Sequence, residues 1–272
     1  MSLCRFNQGG LKMNSLIKMI GLAGILSLVA CDSGNSSKSA STKKQQEQNK
    51  LDISTYSLRG TDNSWPEAVE KQQSIAPNLL ANNYYLIVDT SGSMNDRGCS
   101  GGKTKLAVAK KALEQFVSKL PGNANIGLLI FNKGKATEQV PLGSNTQTSI
   151  INAIKSVRKG GGGTPLGTAI RAGYISLTHQ AQAQLGYGEY HLVVITDGYA
   201  DTGNKPDEVV KNMLSGSAVN LHTIGFCIDE NHALNLPGYT IYKSAGNPQA
   251  LMDGLDSVLA EAPDFQIADF VE

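Results

Sequence analysis

Residues 84–94 read YYLIVDTSGSM, and the fold turns on the point where Tyr84-Tyr85-Leu86-Ile87-Val88 gives way to Asp89. A short run without polar alternation is a strand buried on both faces, the kind that sits in the middle of a sheet covered by helices. Outward from it, strand-like and helix-like segments alternate in the α/β manner. Residues 106–120 place apolar side chains at helical spacing, and residues 125–131 form the second strand. Residues 137–142 are expected as a third strand, at the edge. The stripe Ile150, Ile151, Ile154, Val157 predicts a helix that stops at the glycines 160–163. Thr164-Pro165 then opens another helix, with Thr164 as its cap and proline in its first turn. HLVVIT (191–196) is a strand ending at Asp197, and 206–214 is a short helix. Residues 219–227 and 240–242 are further strands, and 248–259 is the closing helix.

Composition excludes several functions. Against 24 Lys+Arg stand 23 Asp+Glu, a net charge of +1 that creates no field for collecting nucleic acid. Four cysteines, Cys4, Cys31, Cys99 and Cys227, are too few and too scattered for a disulfide miniprotein or a structural zinc site. The 29 glycines exceed what an ordinary core needs and mark turns and close backbone approaches.

In a sheet of parallel strands the informative loops lie at the strand C-termini. Three stand out: Asp89-Thr90-Ser91-Gly92-Ser93-Met94, the GGGGT run ending at Thr164, and Thr196-Asp197-Gly198. Carboxylates and hydroxyls are hard oxygen donors of the type magnesium prefers. In order and spacing, Asp89, Ser91 and Ser93, then Thr164, then Asp197 resemble the metal-ion-dependent adhesion site of the von Willebrand factor A domain. The resemblance covers about residues 84–259. It implies a doubly wound, mostly parallel α/β sheet with helices on both faces and one antiparallel edge strand. It also implies that those five residues hold Mg²⁺, with Mn²⁺ or Ca²⁺ as alternatives, and that a protein partner offers the cation an acidic side chain. The neutral hydroxyls do little to quench a cation's field, so it stays attractive to such a group. The run of four glycines is longer than the family's usual pattern.

The N-terminal part reads as targeting. From Met13, a start that would leave 1–12 as an upstream extension, a short segment with Lys18 leads into an apolar run at 19–30, too short to span a bilayer. Leu28-Val29-Ala30-Cys31 resembles the lipobox of bacterial lipoproteins, which implies cleavage before Cys31 and acylation of its thiol. Residues 1–30 are then a signal peptide. Residues 31–78 are the lipidated Cys31 and a flexible tether, whose first stretch DSGNSSKSASTKKQQEQNK has no apolar side chain larger than alanine. Residues 79–262 are the domain and 263–272 a tail. The product would be lipid-anchored in a bacterial cell envelope, facing the periplasm or exterior. Asp32 resembles an inner-membrane retention signal, which favours that membrane.

Competing readings are an enzyme and a purely structural envelope lipoprotein. A Mg²⁺-dependent phosphohydrolase could use Asp89 as nucleophile, but the general acid such enzymes carry two positions on is replaced by Ser91. RGCSGGKT (97–104) imitates a phosphate-binding loop but has Arg97 where glycine is needed and starts too far past the strand, so no nucleotide is expected. Lys103 and Lys105 read as the exposed start of a helix. His179, His191, His222 and His232 show neither metal nor triad spacing. No enzymatic activity is expected. If the strand order follows the family, Cys99 and Cys227 lie on the metal-bearing edge. They then either form a disulfide or remain as an exposed and a buried thiol.

Overall fold

The computed structural model describes residues 65–67 and 74–260, all within the second of two units, 50–272. Residues 1–30, read above as a signal peptide, Cys31, most of the segment read as a tether and residues 263–272 lie outside the described residues. Six strands form one sheet: β1 (Asn82–Val88), β2 (Asn125–Asn132), β3 (Lys135–Gly143), β4 (Glu189–Thr196), β5 (Val219–Phe226) and β6 (Thr240–Ala245). Their spatial order is β3-β2-β1-β4-β5-β6. All neighbours are parallel except β2 and β3, a hairpin that makes β3 the antiparallel edge.

Alternation along β1 supplies both faces. Tyr84, Leu86 and Val88 join one core with side chains of α1 (Lys105–Lys119), α2 (Gln147–Ser156) and α5 (Pro248–Ala260). Tyr85 and Ile87 join the other, with α3 (Leu166–Ala183) and α4 (Pro206–Leu214). Helices therefore cover both faces of the sheet, and the continuous apolar character of β1 follows from that double burial. The chain leaves β1 toward β2 on one side and later returns to β4 on the other. A crevice at the C-terminal ends of β1 and β4 results.

Two expectations need correction. Thr164 does not cap the helix: α3 starts at Leu166 with Pro165 in the cap position, and no side chain makes a capping bond there. Proline fixes its own φ and leaves Thr164 one residue outside the helix, with its hydroxyl available to the crevice. The tether, in turn, does not run unengaged to residue 78. The Trp65 ring meets Tyr190 edge-on with centroids 5.0 Å apart, Gln182 Nε2 donates to the Glu67 carbonyl, and Ala76 N–H donates to the Ala183 carbonyl. An isolated tryptophan gives no periodic signal, so its partial burial was not readable from the sequence.

Among the described residues no helix is long and apolar enough to cross a membrane.

His191 on β4 and His222 on β5 lie inside, both 2% exposed, with His191 Nδ1 3.2 Å from His222 Nε2. His191 also stacks on Tyr84, and its Nε2 is 3.4 Å from Glu189 Oε2. Burial first, then the charges of His191 and Lys243, push His222 from 6.5 down to about 3. A histidine kept neutral by the fold contributes stability that is intact above its unfolded value and is lost as pH falls from 6.5 toward 3. Thermal melts should therefore drop between pH 7 and pH 4 more steeply in the wild type than in His222→Asn. Equal slopes would show that the pair carries none of the acid sensitivity.

Candidate metal centre

Asp89 continues the β1 ladder by one bond, its N–H donating to the Ile195 carbonyl at 2.8 Å. Its side chain is fully buried. Oδ1 accepts the Ser91 N–H and Oδ2 accepts the Thr196 hydroxyl, each at 2.7 Å. Burial pushes the Asp89 carboxyl above the ordinary carboxylate value, while the bonds from Ser91 and Thr196 pull it back. The chain then turns through a 3-10 segment, Gly92–Asn95, with Ser91 at its N-cap but making no side-chain cap bond. The Ser91 hydroxyl is instead 3.0 Å from the Ser93 hydroxyl, and Ser93 donates to Asp197 Oδ1 at 2.7 Å. A Cβ on Gly198 would lie 3.7 Å from both the Ser93 and the Thr164 hydroxyl oxygens. Asp89, Ser91, Ser93, Thr164 and Asp197 thus share one crevice.

The glycine run explains itself through backbone crowding. Gly161 N–H donates to the Thr90 carbonyl at 2.8 Å and Gly92 N–H to the Gly162 carbonyl at 3.1 Å. Asn95 closes the arrangement, accepting from Gly160 N–H through Oδ1 and donating to the Gly160 carbonyl through Nδ2. A Cβ on Gly160 would collide with the Ser91 carbonyl oxygen, and one on Gly162 (φ 81°) with Gly134 N. The loop bearing Thr164 therefore rests on the loop bearing the serines with no room for side chains between. Thr90 holds the second strand, its hydroxyl donating to the Phe131 carbonyl.

Lys105 departs from expectation. Only 9% of the residue is exposed, and its Nζ lies 2.8 Å from Asp197 Oδ2. The Asp197 side chain has no exposure at all. Helical spacing puts Lys105 at the start of α1 but does not say which way it points; the buried carboxylate draws it inward. Thr196 was also missed, being the last residue of an apolar strand. The one available hint was its place beside Asp197.

Cys99 and Cys227 are joined by a disulfide with Cα atoms 5.8 Å apart, tying the loop before α1 to the end of β5. Cys227 lies just past the strand, with φ 63°. His232 Nε2 sits 3.0 Å from the Gly198 carbonyl oxygen, and its ring stacks with those of Tyr199 and Tyr242. Tyr199 is 58% exposed beside the crevice. Among the described residues no three His, Cys, Asp or Glu side chains gather as metal ligands; any cation here would depend on hydroxyls.

A family model for the von Willebrand factor type A domain matches residues 83–251. The fold is also similar to several solved structures. The pilus adhesin SpaC from Lactobacillus rhamnosus GG is 17% identical, with 70% of this chain and 31% of that one covered and a TM-score of 0.55. A von Willebrand factor type A protein from Catenulispora acidiphila is 16% identical, with 66% and 42% covered and a TM-score of 0.52. A mutant of the PilB minor pilin from Streptococcus sanguinis is 18% identical, with 71% and 62% covered and a TM-score of 0.51. At these identities the likeness is one of fold, and the chain spans less than two thirds of each. A comparison with curated proteins finds no match.

The crowded loop yields a paired test. Gly160→Ala should destabilise by about 1–3 kcal/mol because backbone, not a flexible side chain, must move. Gly161→Ala, which meets nothing within 4 Å and has no positive φ, should be nearly neutral. Denaturant unfolding of the two variants measures the difference, and equal stabilities would refute the crowding account.

Proposed function

The chain belongs to the von Willebrand factor type A domain family, and on that premise we propose that it binds a protein partner through a divalent cation held by Asp89, Ser91, Ser93, Thr164 and Asp197. The observation that carries this reading is the arc from Ser91 to Ser93 to Asp197 at the strand ends. The five side chains would offer the cation hard oxygen donors, the type that suits Mg²⁺, with Mn²⁺ or Ca²⁺ as alternatives. A cation bound there would supply an open coordination position for a carboxylate oxygen of the partner. The protein's own work is positional: Ser91 N–H and Thr196 hold Asp89, and the glycine loop brings Thr164 against the serines.

An Asp89 nucleophile is disfavoured because Ser91 stands two positions on, where such an enzyme needs its general acid. We read the chain as a lipoprotein, cleaved before Cys31 and acylated there, which holds the domain at a bacterial membrane, with the inner membrane favoured by Asp32. The motif 28–31 supports that part of the reading.

Calorimetric titration and melts of the whole chain in detergent test the metal. At Mg²⁺ one hundred times its Kd the stabilisation is about 2.7 kcal/mol, a rise of roughly 5–10 °C in Tm for a domain of this size. Asp89→Ala should abolish both heat and shift. A wild type with no heat and identical melts in Mg²⁺ and chelator would return the structural-lipoprotein reading. For the anchor, a clickable fatty-acid probe should label the wild type and not Cys31→Ser; equal labelling of the two would remove the anchor from the proposal.

A further inference from the structure

We propose that Lys105 is a resident cation of the centre, neutralising Asp197 from behind and thereby weakening divalent-metal binding while leaving the loaded site with excess positive charge. The inference rests on the metal-binding reading above.

Asp197 divides its two oxygens. Oδ1 accepts the Ser93 hydroxyl within the crevice, and Oδ2 accepts Lys105 Nζ at 2.8 Å. The lysine therefore does not occupy the oxygen that faces the serines, and a metal beside Ser93 would not have to expel it. With side-chain exposures of 11% and 0%, the pair is largely removed from solvent screening.

Local helix chemistry does not explain a lysine here. Lys105 opens α1 directly after its cap, Thr104, whose Oγ1 accepts the Ala107 N–H, and the first turn holds no acidic residue. A positive side chain at that end opposes the helix dipole. An exposed lysine would turn away into water, whereas this one turns inward to a carboxylate from another loop.

The charge balance gives the consequence. Asp89 and Asp197 alone would cancel a divalent cation. With Lys105 the loaded centre carries +1. An incoming metal meets a standing positive charge, and a carboxylate approaching from outside meets a site with charge left to offer. The family pattern of five residues omits the residue that sets this sum.

Magnesium titration of the whole chain in detergent decides the matter. Lys105→Met should bind Mg²⁺ at least about tenfold more tightly than the wild type, and Lys105→Arg, which keeps the charge, within about threefold of it. A silent wild type with a binding Lys105→Met would overturn the proposal, because the lysine would then exclude the metal instead of sharing the loaded centre with it. If the wild type binds and Lys105→Met binds no better, the inference fails and the metal reading stands. If the wild type, Lys105→Met and Lys105→Gln all fail to bind, both fail. Should Lys105→Met not fold, Lys105→Gln carries the comparison with circular dichroism as its check. Amine acylation of the wild type read by mass spectrometry needs no variant: Lys105 should stay protected with and without Mg²⁺, and labelling that appears on adding metal would overturn its residence on Asp197.

Discussion

Asp89 is wholly buried, and a buried carboxylate is tolerable only where donors meet both of its oxygens. One donor is the N–H of Ser91, which forces the chain to turn sharply after β1. The other is the hydroxyl of Thr196, which must come from the neighbouring strand. That requirement couples the tips of β1 and β4 and fixes where Asp197 falls, one residue beyond Thr196. Ser91 and Ser93 are then presented side by side because the turn that satisfies Asp89 leaves their hydroxyls out of helix capping.

The two apolar layers serve this constraint. β1 is clamped between α1, α2 and α5 on one side and α3 and α4 on the other. Its tip therefore has little freedom, and the loops that carry the hydroxyls hang from a rigid sheet. Glycine completes the geometry on the far side of the crevice. Backbone-to-backbone contact between residues 160–162 and the loops at 90–92 and 133–134 positions Thr164 without intervening side chains. The disulfide does comparable work on the third side, holding the segment that leads into Lys105.

Much of this was legible in the sequence, for physical reasons that can be named. The apolar run at 84–88 and the helical stripes mark an alternating α/β chain, since such patterns report which faces are buried, whereas the doubly wound order with its antiparallel edge strand was implied by the family resemblance. Asp89, Ser91, Ser93, Thr164 and Asp197 stood out as a set through the resemblance of their order and spacing to the family's motif, with strand-end position adding only that oxygen donors there face a crevice. What escaped was direction and docking. Periodicity located Lys105 on α1 but could not show that its amine turns toward a carboxylate ninety-two residues away. Thr164 followed by proline imitates a helix start so well that its role as cap was the natural expectation. Trp65, between Ser64 and Pro66, belongs to no apolar pattern, and a tertiary contact with Tyr190 gives it a place.

That docking of Trp65 has a mechanical meaning. Tyr190 lies near the beginning of β4, and Ala76 is bonded near the end of α3 before the chain enters β1 at Asn82. The chain thus arrives at the edge of the sheet opposite the crevice, and β1 runs between the two. A pull between something held at the crevice and something holding the upstream chain would act along β1. Its ladders with β2 and β4 run parallel to that line, so their hydrogen bonds would be loaded together in shear and not opened one at a time. Resistance to force is a question of unfolding rate rather than of equilibrium stability, and a central strand loaded lengthwise is the arrangement that slows it.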